Sequence, residues 1–513
     1  MTQPYALTNP LTRLLDKPRH EFTREDLLAV LERQGLERIT FHYTAIDGQL
    51  KELKIPVAGR RQAERILAEG ERVDGSSLFR GLVDVAVSDL YVVPAYQTAF
   101  LNPFDEGSLD FVCRYLTREG ELAPFTFDNV LANGARRFHD RTGLDLYAMG
   151  ELEFYLLSTP SHHMYATGKQ RGYHAAAPFN QTGDIINEMV RHLTQMTGAV
   201  KYAHSEVGHL DDVRSDLEEI KGKRADQLEI EFQPAPIDEA GDHLVLARWL
   251  IRNVAYQHGC VATFTPKLEE GIAGNGLHVH AELRQDGRNI MLGGTGALSD
   301  AARQLIGGLG HYAASLTAFG NTVSSAYLRL VPNQEAPTRI CWSDANRSAM
   351  IRVPLGWSNV NNLAQRVNPQ QGSAFVDQGG QQTVELRSPD GSALVHLLLA
   401  GIAMAATWGA THPVEALDLA RDLHVTGNIF RDRAVLERLR ALPSSCVASA
   451  RVLREQRDLY EVDHVFPPSV IDYVARLLDR EEDESMNQSL ADLPADDRLH
   501  RTRAIMHKDL HRH

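Results

Sequence analysis

Four apolar, strand-like segments of this chain each carry two chemically active side chains spaced two residues apart. They are Glu151 and Glu153 in LYAMGELEFYLL, Glu229 and Glu231 in DQLEIEFQPA, His278 and His280 in GLHVHAEL, and Glu385 and Arg387 in TVELRSP. Residues two apart on a strand share a face. The flanking residues are largely hydrophobic, so each segment sets one polar row against a packed environment. One such pair alone fits the solvated face of an amphipathic strand. Four of them, bringing carboxylates, two imidazoles and a guanidinium, point instead to a metal site laid out on strands, because a solvated face would be expected to mix in Lys, Thr, Ser and Gln.

Glutamates combined with a histidine suit Mg²⁺ or Mn²⁺, whereas a zinc site is more often built from His and Cys. Glu151, Glu153, Glu206, Glu229, His278 and Glu385 supply two sets of three ligands, enough for two cations. Such clusters bridge the oxygens of a polyphosphate and neutralise the charge that develops during in-line transfer, so the chemistry suggested is phosphoryl transfer. Arg329, Arg347 and Arg352 fall within YLRLVPNQEAPTRICWSDANRSAMIRVP, and Arg387 ends the last paired strand. Guanidinium groups bind carboxylates and phosphates in a bidentate fork and can hold an anionic substrate beside a transferring phosphoryl group. There is no G-x-x-x-x-G-K-[ST], no dinucleotide G-x-G-x-x-G after a strand, no H-E-x-x-H and no G-x-S-x-G. Any nucleotide is therefore handled without a P-loop.

At 513 residues the chain implies two or more domains. Its 53 basic and 67 acidic residues leave a formal charge of -14, which argues against a nucleic-acid-coating surface. Cys113, Cys260, Cys341 and Cys446 lie far apart without a C-x-x-C pair, as reduced thiols of a cytoplasmic protein would. The N-terminal MTQPYALTNPLTRLLDKPRH lacks the apolar core of a signal peptide. The longest apolar run, Leu394 to Ala410, is interrupted by His396 and Gly401 and reads as a buried helix, so no membrane segment is expected.

Residues 22–36 have helical periodicity, and ERITFHYTAIDGQLKELKIPV alternates around Asp47-Gly48, a strong hairpin signal. A small α+β domain begins there. It continues through a helix at Arg61 to Ala68, the VDGSS loop at Val73 to Ser77, and a strand near Ser88 to Val93. Charge and proline interrupt the pattern near 115–125, the best domain boundary, and Phe127 to Thr142 then reads as a helix. Further helices are expected at Thr182 to Thr197, Asp242 to His258 and Ser299 to Phe319. The division is 1–20 as an extension, 21–120 as the small domain, 121–480 as the catalytic domain and 481–513 as a charged helix or tail, solvated by default.

VDGSS with SDLYVVP downstream, GELEFYL, GNGLHVH, RLVPNQEAP, NRSAMIRVP and VELRSPDGSA occur in one order along nearly the whole chain. In this the chain resembles the glutamine synthetase family. The resemblance implies an α+β protein: an N-terminal β-grasp-like domain followed by an α/β catalytic domain whose curved antiparallel sheet forms half of a funnel-shaped site. It implies ATP and Mg²⁺ (or Mn²⁺), an amino acid and ammonia or an amine as small-molecule ligands, and a homo-oligomeric ring or double ring with shared sites.

Carried over residue by residue, the resemblance makes Glu153, Glu206 and Glu229 ligands of one metal, and Glu151, His278 and Glu385 ligands of the other. His280 and Arg352 would lie near ATP, Arg329 and Arg387 would hold substrate carboxylates beside Gly274, and Arg347 with Arg352 would stabilise transferred phosphate. Glu335 matches a loop glutamate that closes the site. Asp74, Ser77, Tyr173 and Glu206 match an ammonium pocket, with Asp74 reaching in from a neighbouring subunit and Asp89 nearby. The activity implied is an ATP-dependent ligase forming an amide from glutamate and ammonia through a γ-glutamyl phosphate. A larger amine or another carboxylate is the alternative, and a catalytically silent binding or structural role is a third.

Departures from the pattern bear on these implications. Ala273 stands where the family usually has Asn, with Asn275 two residues later. The spacer between Glu206 and Glu229 is long, so Asp211, Asp212, Glu218 and Glu219 compete with Glu206. Lys201 replaces an acidic nucleotide-site residue, the segment after DGSS lacks the usual Trp, and Phe430 takes the place of a tyrosine that is adenylylated in some members. Glu231 has no role that the resemblance assigns.

Overall fold

The N-terminal part of the chain is built on a hairpin that its sequence dictates. β1 (Arg38–Thr44) and β2 (Leu50–Pro56) pair antiparallel from Arg38↔Pro56 to Thr44↔Leu50. Between them Gly48 takes a positive φ of 77° and the Asp47 carboxylate accepts the Gln49 amide, so the Asp-Gly turn closes as its residue types favour. The preceding helix, Arg24–Gln34, carries a capping box between Thr23 and Asp26 and stops at Gly35 in the left-handed region. A computed structural model provides these coordinates and describes residues 5–83, 88–160, 164–165, 168–331, 336–356, 362–375, 380–427, 429 and 432–512.

β3 (Glu71–Asp74), β4 (Asp89–Pro94), β5 (Phe100–Leu101) and β6 (Ser108–Leu116) complete a six-stranded sheet in the order β2-β1-β6-β4-β3, with β5 paired to β6. β1 and β6 run parallel. The helices Arg24–Gln34 and Arg60–Glu69 supply Leu27, Leu28, Leu31, Ile66 and Leu67 to a core shared with Phe41, Phe111 and Tyr115. This small domain docks on the rest of the chain through a buried ion pair: Arg114 donates through Nη2 to Asp242 Oδ2 at 2.6 Å and through Nη1 to Oδ1 at 3.3 Å.

The larger sheet comprises β7 (Asp145–Ser158), β8 (Val200–Leu210), β9 (Arg224–Phe232), β10 (Ala235–Pro236), β11 (Val261–Thr263), β12 (Leu277–Gln285), β13 (Arg288–Asn289), β14 (Trp342–Asp344), β15 (Ile351–Val353) and β16 (Val384–Leu386). Its order is β14-β15-β16-β12-β7-β9-β8, all antiparallel except β14 with β15, and the sheet is strongly curled. Alternation decides which face is buried against helices. Leu152, Phe154, Leu228, Ile230, Leu277, Val279 and Ala281 enter the main core, and a Cβ at Gly150 would meet Leu244 of the helix Ile237–Gln257 at 2.7 Å. The interleaved Glu151, Glu153, Glu229, Glu231, His278 and His280 therefore share the opposite, concave face.

The expected helices form as Phe127–Thr142, Gly183–Thr197, Ile237–Gln257 and Asp300–Gly320, the third starting five residues before the expected Asp242. The apolar run becomes the buried helix Val395–Thr411, packed between Asp300–Gly320 and Phe127–Thr142. Among the described residues no single helix is long and apolar enough to cross a membrane. The C-terminal segment differs from the solvated default. It forms helices Met486–Ala491 and Ala495–His507 and then docks on the larger domain. Thr263 and Thr265 hydroxyls donate to the Leu510 and Met506 carbonyls at 2.7 and 2.8 Å, and Leu510 is buried beside Tyr155 and Leu268. Buried Met506 and Leu510 anchor it together with polar bonds, among them Arg503 to Glu269 at 2.7 Å and His507 to the Leu268 carbonyl at 2.9 Å.

Candidate functional site

Cross-strand register turns four separate sequence pairs into one patch. Glu151 on β7 faces His278 on β12 and Glu231 on β9, Glu153 faces Glu229, and Glu229 faces His204 on β8. On the other flank His280 faces Glu385 on β16, which faces Arg352 on β15. A cavity of about 720 Å³ opens over this patch and includes Glu151, Glu153, Glu206, Glu229, His278 and Glu385 in its wall.

Two three-residue groups are arranged to share an ion. One ligand atom from each of Glu151, His278 and Glu385 lies within 4.8 Å of the others, and the same holds for His204, Glu206 and Glu229. A third such group, Glu151, Glu229 and Glu231, lies between them and uses a member of each. His278 Nδ1 is 2.8 Å from Glu151 Oε2 and 3.6 Å from Glu385 Oε1. Burial, with Glu151, Glu153 and Glu206 around it, holds the Glu229 carboxyl well above the usual carboxylate range. Burial also opposes ionisation of Glu151, but the His280 and His278 imidazoles outweigh it and hold that carboxyl well below its ordinary value. Within one patch, the carboxylates thus fall into a pair held in opposite directions, Glu151 down beside the imidazoles and Glu229 up among its fellow glutamates.

Glu153 is fixed from behind. Its Oε2 accepts the Gly276 amide at 2.6 Å and Gln227 Nε2 at 3.2 Å, and Gln227 also donates to the Gly274 carbonyl. Gly274 and Gly276 permit this close approach. A Cβ at Gly274 would lie 2.4 Å from the Pro266 carbonyl oxygen, and one at Gly276 would lie 2.8 Å from His278 Nε2. Asn275 between them is fully buried and spends its amide on the Thr263 and Thr265 carbonyls. It therefore does not replace the side chain missing at Ala273, which lies in the cavity wall.

Arginines enclose the opposite side. Arg329, Arg347, Arg352 and Arg387 all line the cavity. Arg352 donates to Glu385 Oε2 at 2.7 Å and Arg387 Nε to Glu385 Oε1 at 3.0 Å, while Arg387 Nη1 donates to the Arg347 carbonyl. Arg329 is held by the Ser388 and Arg387 carbonyls. His280 stands behind this wall, between Glu151 Oε1 at 2.9 Å and the Thr383 hydroxyl at 2.8 Å, and is not among the lining residues.

Tyr173, half exposed, reaches the cavity at the head of a ring stack: its centroid is 4.3 Å from His174, which is 4.1 Å from His204. Of the competitors for Glu206, Asp211 pairs with His209, Glu218 with Lys221 and Glu219 with His511, and Asp212 lines a different cavity. Asp74 and Ser77 lie outside the wall of the cavity formed by their own chain. Asp74 caps the short helix Gly75–Leu78, accepting from the Ser76 amide and the Ser76 and Ser77 hydroxyls, and those bonds hold its exposed carboxyl down to about 2. Asp89 faces Asp74 across β3 and β4 and pairs with Arg72. Glu335 and Phe430 lie outside the described residues.

Sequence reasoning missed His204 and Gln227. Each sits two residues before a glutamate already singled out, in HSE and QLE, so the same two-residue spacing would have found them. Glu231, left without a role, is buried and paired with Lys201 Nζ at 2.5 Å.

Residues 129–494 match the model of the glutamine synthetase catalytic domain and residues 35–118 that of the glutamine synthetase beta-grasp domain. Glutamine synthetase of Pyrococcus horikoshii is 32% identical over 391 residues, covering 75% of this chain and 77% of its own. That of Mycobacterium tuberculosis is 28% identical over 431 residues, covering 77% and 82%. Two solved structures share the fold. Plasmodium falciparum glutamine synthetase has a TM-score of 0.71 at 18% identity, over 93% of this chain and 98% of that one. Ligand-free GmaS has 0.68 at 20%, over 92% and 98%. With both domain models matched in order over a cavity of this composition, the chain belongs to the glutamine synthetase family of ligases.

Proposed function

We propose that this chain is an ATP-dependent ligase that joins glutamate to ammonia through a γ-glutamyl phosphate. The observation that carries the reading is the convergence, in one cavity, of two carboxylate-imidazole groups with Arg329, Arg347, Arg352 and Arg387. A cluster of hard oxygen donors with one imidazole per group, and a Glu229 carboxyl pushed up by burial and then by its neighbours, fits Mg²⁺ or Mn²⁺. Glu151, His278 and Glu385 would hold one ion; Glu153, Glu206 and Glu229, with His204 adjacent, would hold the other. Bound there, the cations would neutralise the polyphosphate and the charge developing on the transferred group.

The remaining work falls to the chain itself. Arg329 and Arg387 bind the substrate carboxylates, with Gly274 giving room beside them, and Arg347 with Arg352 stabilises the phosphoryl group as it moves. His280 orients Glu151, and with Arg352 serves the ATP end. Tyr173 and Glu206, with Asp74 and Ser77 of a neighbouring copy, form the pocket where ammonium loses its proton before attack on the acyl phosphate. Glu335 closes the site against water. That Asp74 is exposed, ionised and off its own cavity supports a shared site in a homo-oligomeric ring or double ring.

Two observations favour a second reading. Ala273 leaves a contact to the amino acid unmade, and the Tyr173-His174-His204 stack adds ring surface beside the ammonium pocket. Both suit a larger amine or a different carboxylate. Purified protein with ATP and Mg²⁺, supplied with glutamate and a panel of amines including hydroxylamine, separates the readings by phosphate release. Turnover with ammonia supports the first and turnover only with a larger amine the second. No turnover with any carboxylate overturns both and leaves a silent family member.

A further inference from the structure

A second cavity, of about 310 Å³, shares no lining residue with the first. It lies where the N-terminal extension, the small domain and the helix Ile237–Gln257 meet, with Arg19, Gln97, Met196, Glu239, His243 and Leu246 in its wall. Its volume is within the range of small-molecule sites, which begins at about 300 Å³.

The wall carries two opposite charges that leave each other free. Arg19 is held in place by donating Nη1 to the Met196 carbonyl at 2.7 Å. Among the described residues no ion pair within 4.0 Å joins it to Glu239. Burial holds the Arg19 guanidinium below its ordinary value and the Glu239 carboxyl above it, and the field of each only partly relieves the other. Asp242, also in the wall, is already taken by Arg114. His243 is buried with Nδ1 unpartnered, so the cavity is polar on one side and apolar, through Met196 and Leu246, on the other.

We propose that this cavity binds a free α-amino acid with a short apolar side chain, its carboxylate on Arg19, its ammonium on Glu239 and its side chain against Met196 and Leu246. An anion alone would sit beside the Glu239 carboxylate, a cation alone beside Arg19, and an apolar molecule would strip water from both without replacing it. A zwitterion satisfies both charges at once. It would also bridge three segments distant in sequence, the extension and the helices Gly183–Thr197 and Ile237–Gln257, which ties occupancy to how the extension seats on the catalytic domain.

Calorimetry on the full chain with L-valine tests this, beside its two half-molecules, isovalerate and isobutylamine. One valine per chain is expected, with each half-molecule weaker by at least about tenfold. Arg19→Met and Glu239→Gln should each weaken valine by a similar factor. Glu239→Gln is nearly isosteric and keeps the test valid should Arg19→Met fold poorly. Arg329→Lys, in the large cavity, should leave valine binding unchanged. Binding that survives both substitutions, or that is lost in Arg329→Lys, places the amino acid in the large cavity and overturns the proposal. So does the absence of valine binding at about 10 mM.

Discussion

The Gly276 amide donates to Glu153 Oε2 at 2.6 Å, across the junction of β12 with β7. That bond aims one carboxylate of the concave face and joins the loop at residues 274–276 to it. Glu153→Gln keeps the size and the hydrogen-bond reach of the side chain but removes its charge. Turnover should fall at least about 100-fold while the melting temperature and the oligomer stay as they are. Activity near that of the parent protein would remove Glu153 from the ligand set.

Gly274 and Gly276 should fail differently. At Gly274 an added methyl meets backbone, the Pro266 carbonyl, so Gly274→Ala should cost about 1–3 kcal/mol of stability by denaturant unfolding. At Gly276 it meets the ends of His278 and Arg329 side chains, which can shift. Gly276→Ala should therefore preserve most of the stability and lose activity. Equal stability losses in the two variants would show that the loop relaxes as a unit.

Much of this site was legible because strand geometry is simple. The two-residue spacing in GELEFYL, QLEIEF, LHVHAEL and TVEL fixes which side chains share a face, and register then needs only that each row meet its neighbour. What spacing cannot give is the job of a polar residue in a loop. Asn275, two residues after Ala273, carried no role in the sequence and is a fully buried brace for the Thr263 and Thr265 carbonyls. The C-terminal end read as solvated because its charge outweighs its few apolar residues, yet Met486, Leu490, Met506 and Leu510 are all buried. Glu231 had no sequence partner until folding brought Lys201 beside it.

His243 gives stability a pH dependence of known sign. Burial, followed by the Arg19 charge, pushes its pKa from 6.5 down to about 4. Between those values the unfolded chain binds the proton that the folded chain refuses, so stability rises with pH across this window and falls on acidification. The loss on going from pH 7 to pH 4 should be about 3 kcal/mol, and His243→Phe should flatten that part of the curve. An unchanged slope in the variant would assign it to other groups. The Arg114–Asp242 pair acts lower: burial opposes it, but Arg114 and His396 hold the Asp242 carboxyl at about 2. Its contribution is complete above the ordinary aspartate value and lost only as pH falls toward 2, while Asp242→Asn should cost about 3–5 kcal/mol at any neutral pH.

Divalent cations should stabilise the folded chain independently of turnover. Burial, and then the charges of Glu151, Glu153 and Glu206, raise the Glu229 carboxyl, so a cation among these groups relieves a cost of folding. Saturating Mn²⁺ or Mg²⁺ at about 100 times the dissociation constant should add about 2.7 kcal/mol. Melting followed with chelator and with excess metal checks this, and Glu229→Gln should shrink the difference. A melting temperature indifferent to metal would contradict the ligand assignment.

Glu151 and Glu229 each belong to two of the three ion-sized groups on the concave face. Neighbouring positions that draw on a common oxygen cannot fill as strangers: the first occupant takes electron density and geometry that the next would have used. A titration of the apoprotein should therefore resolve into unequal steps, tight and then weak, and the number of ions bound should depend on how much phosphate accompanies them.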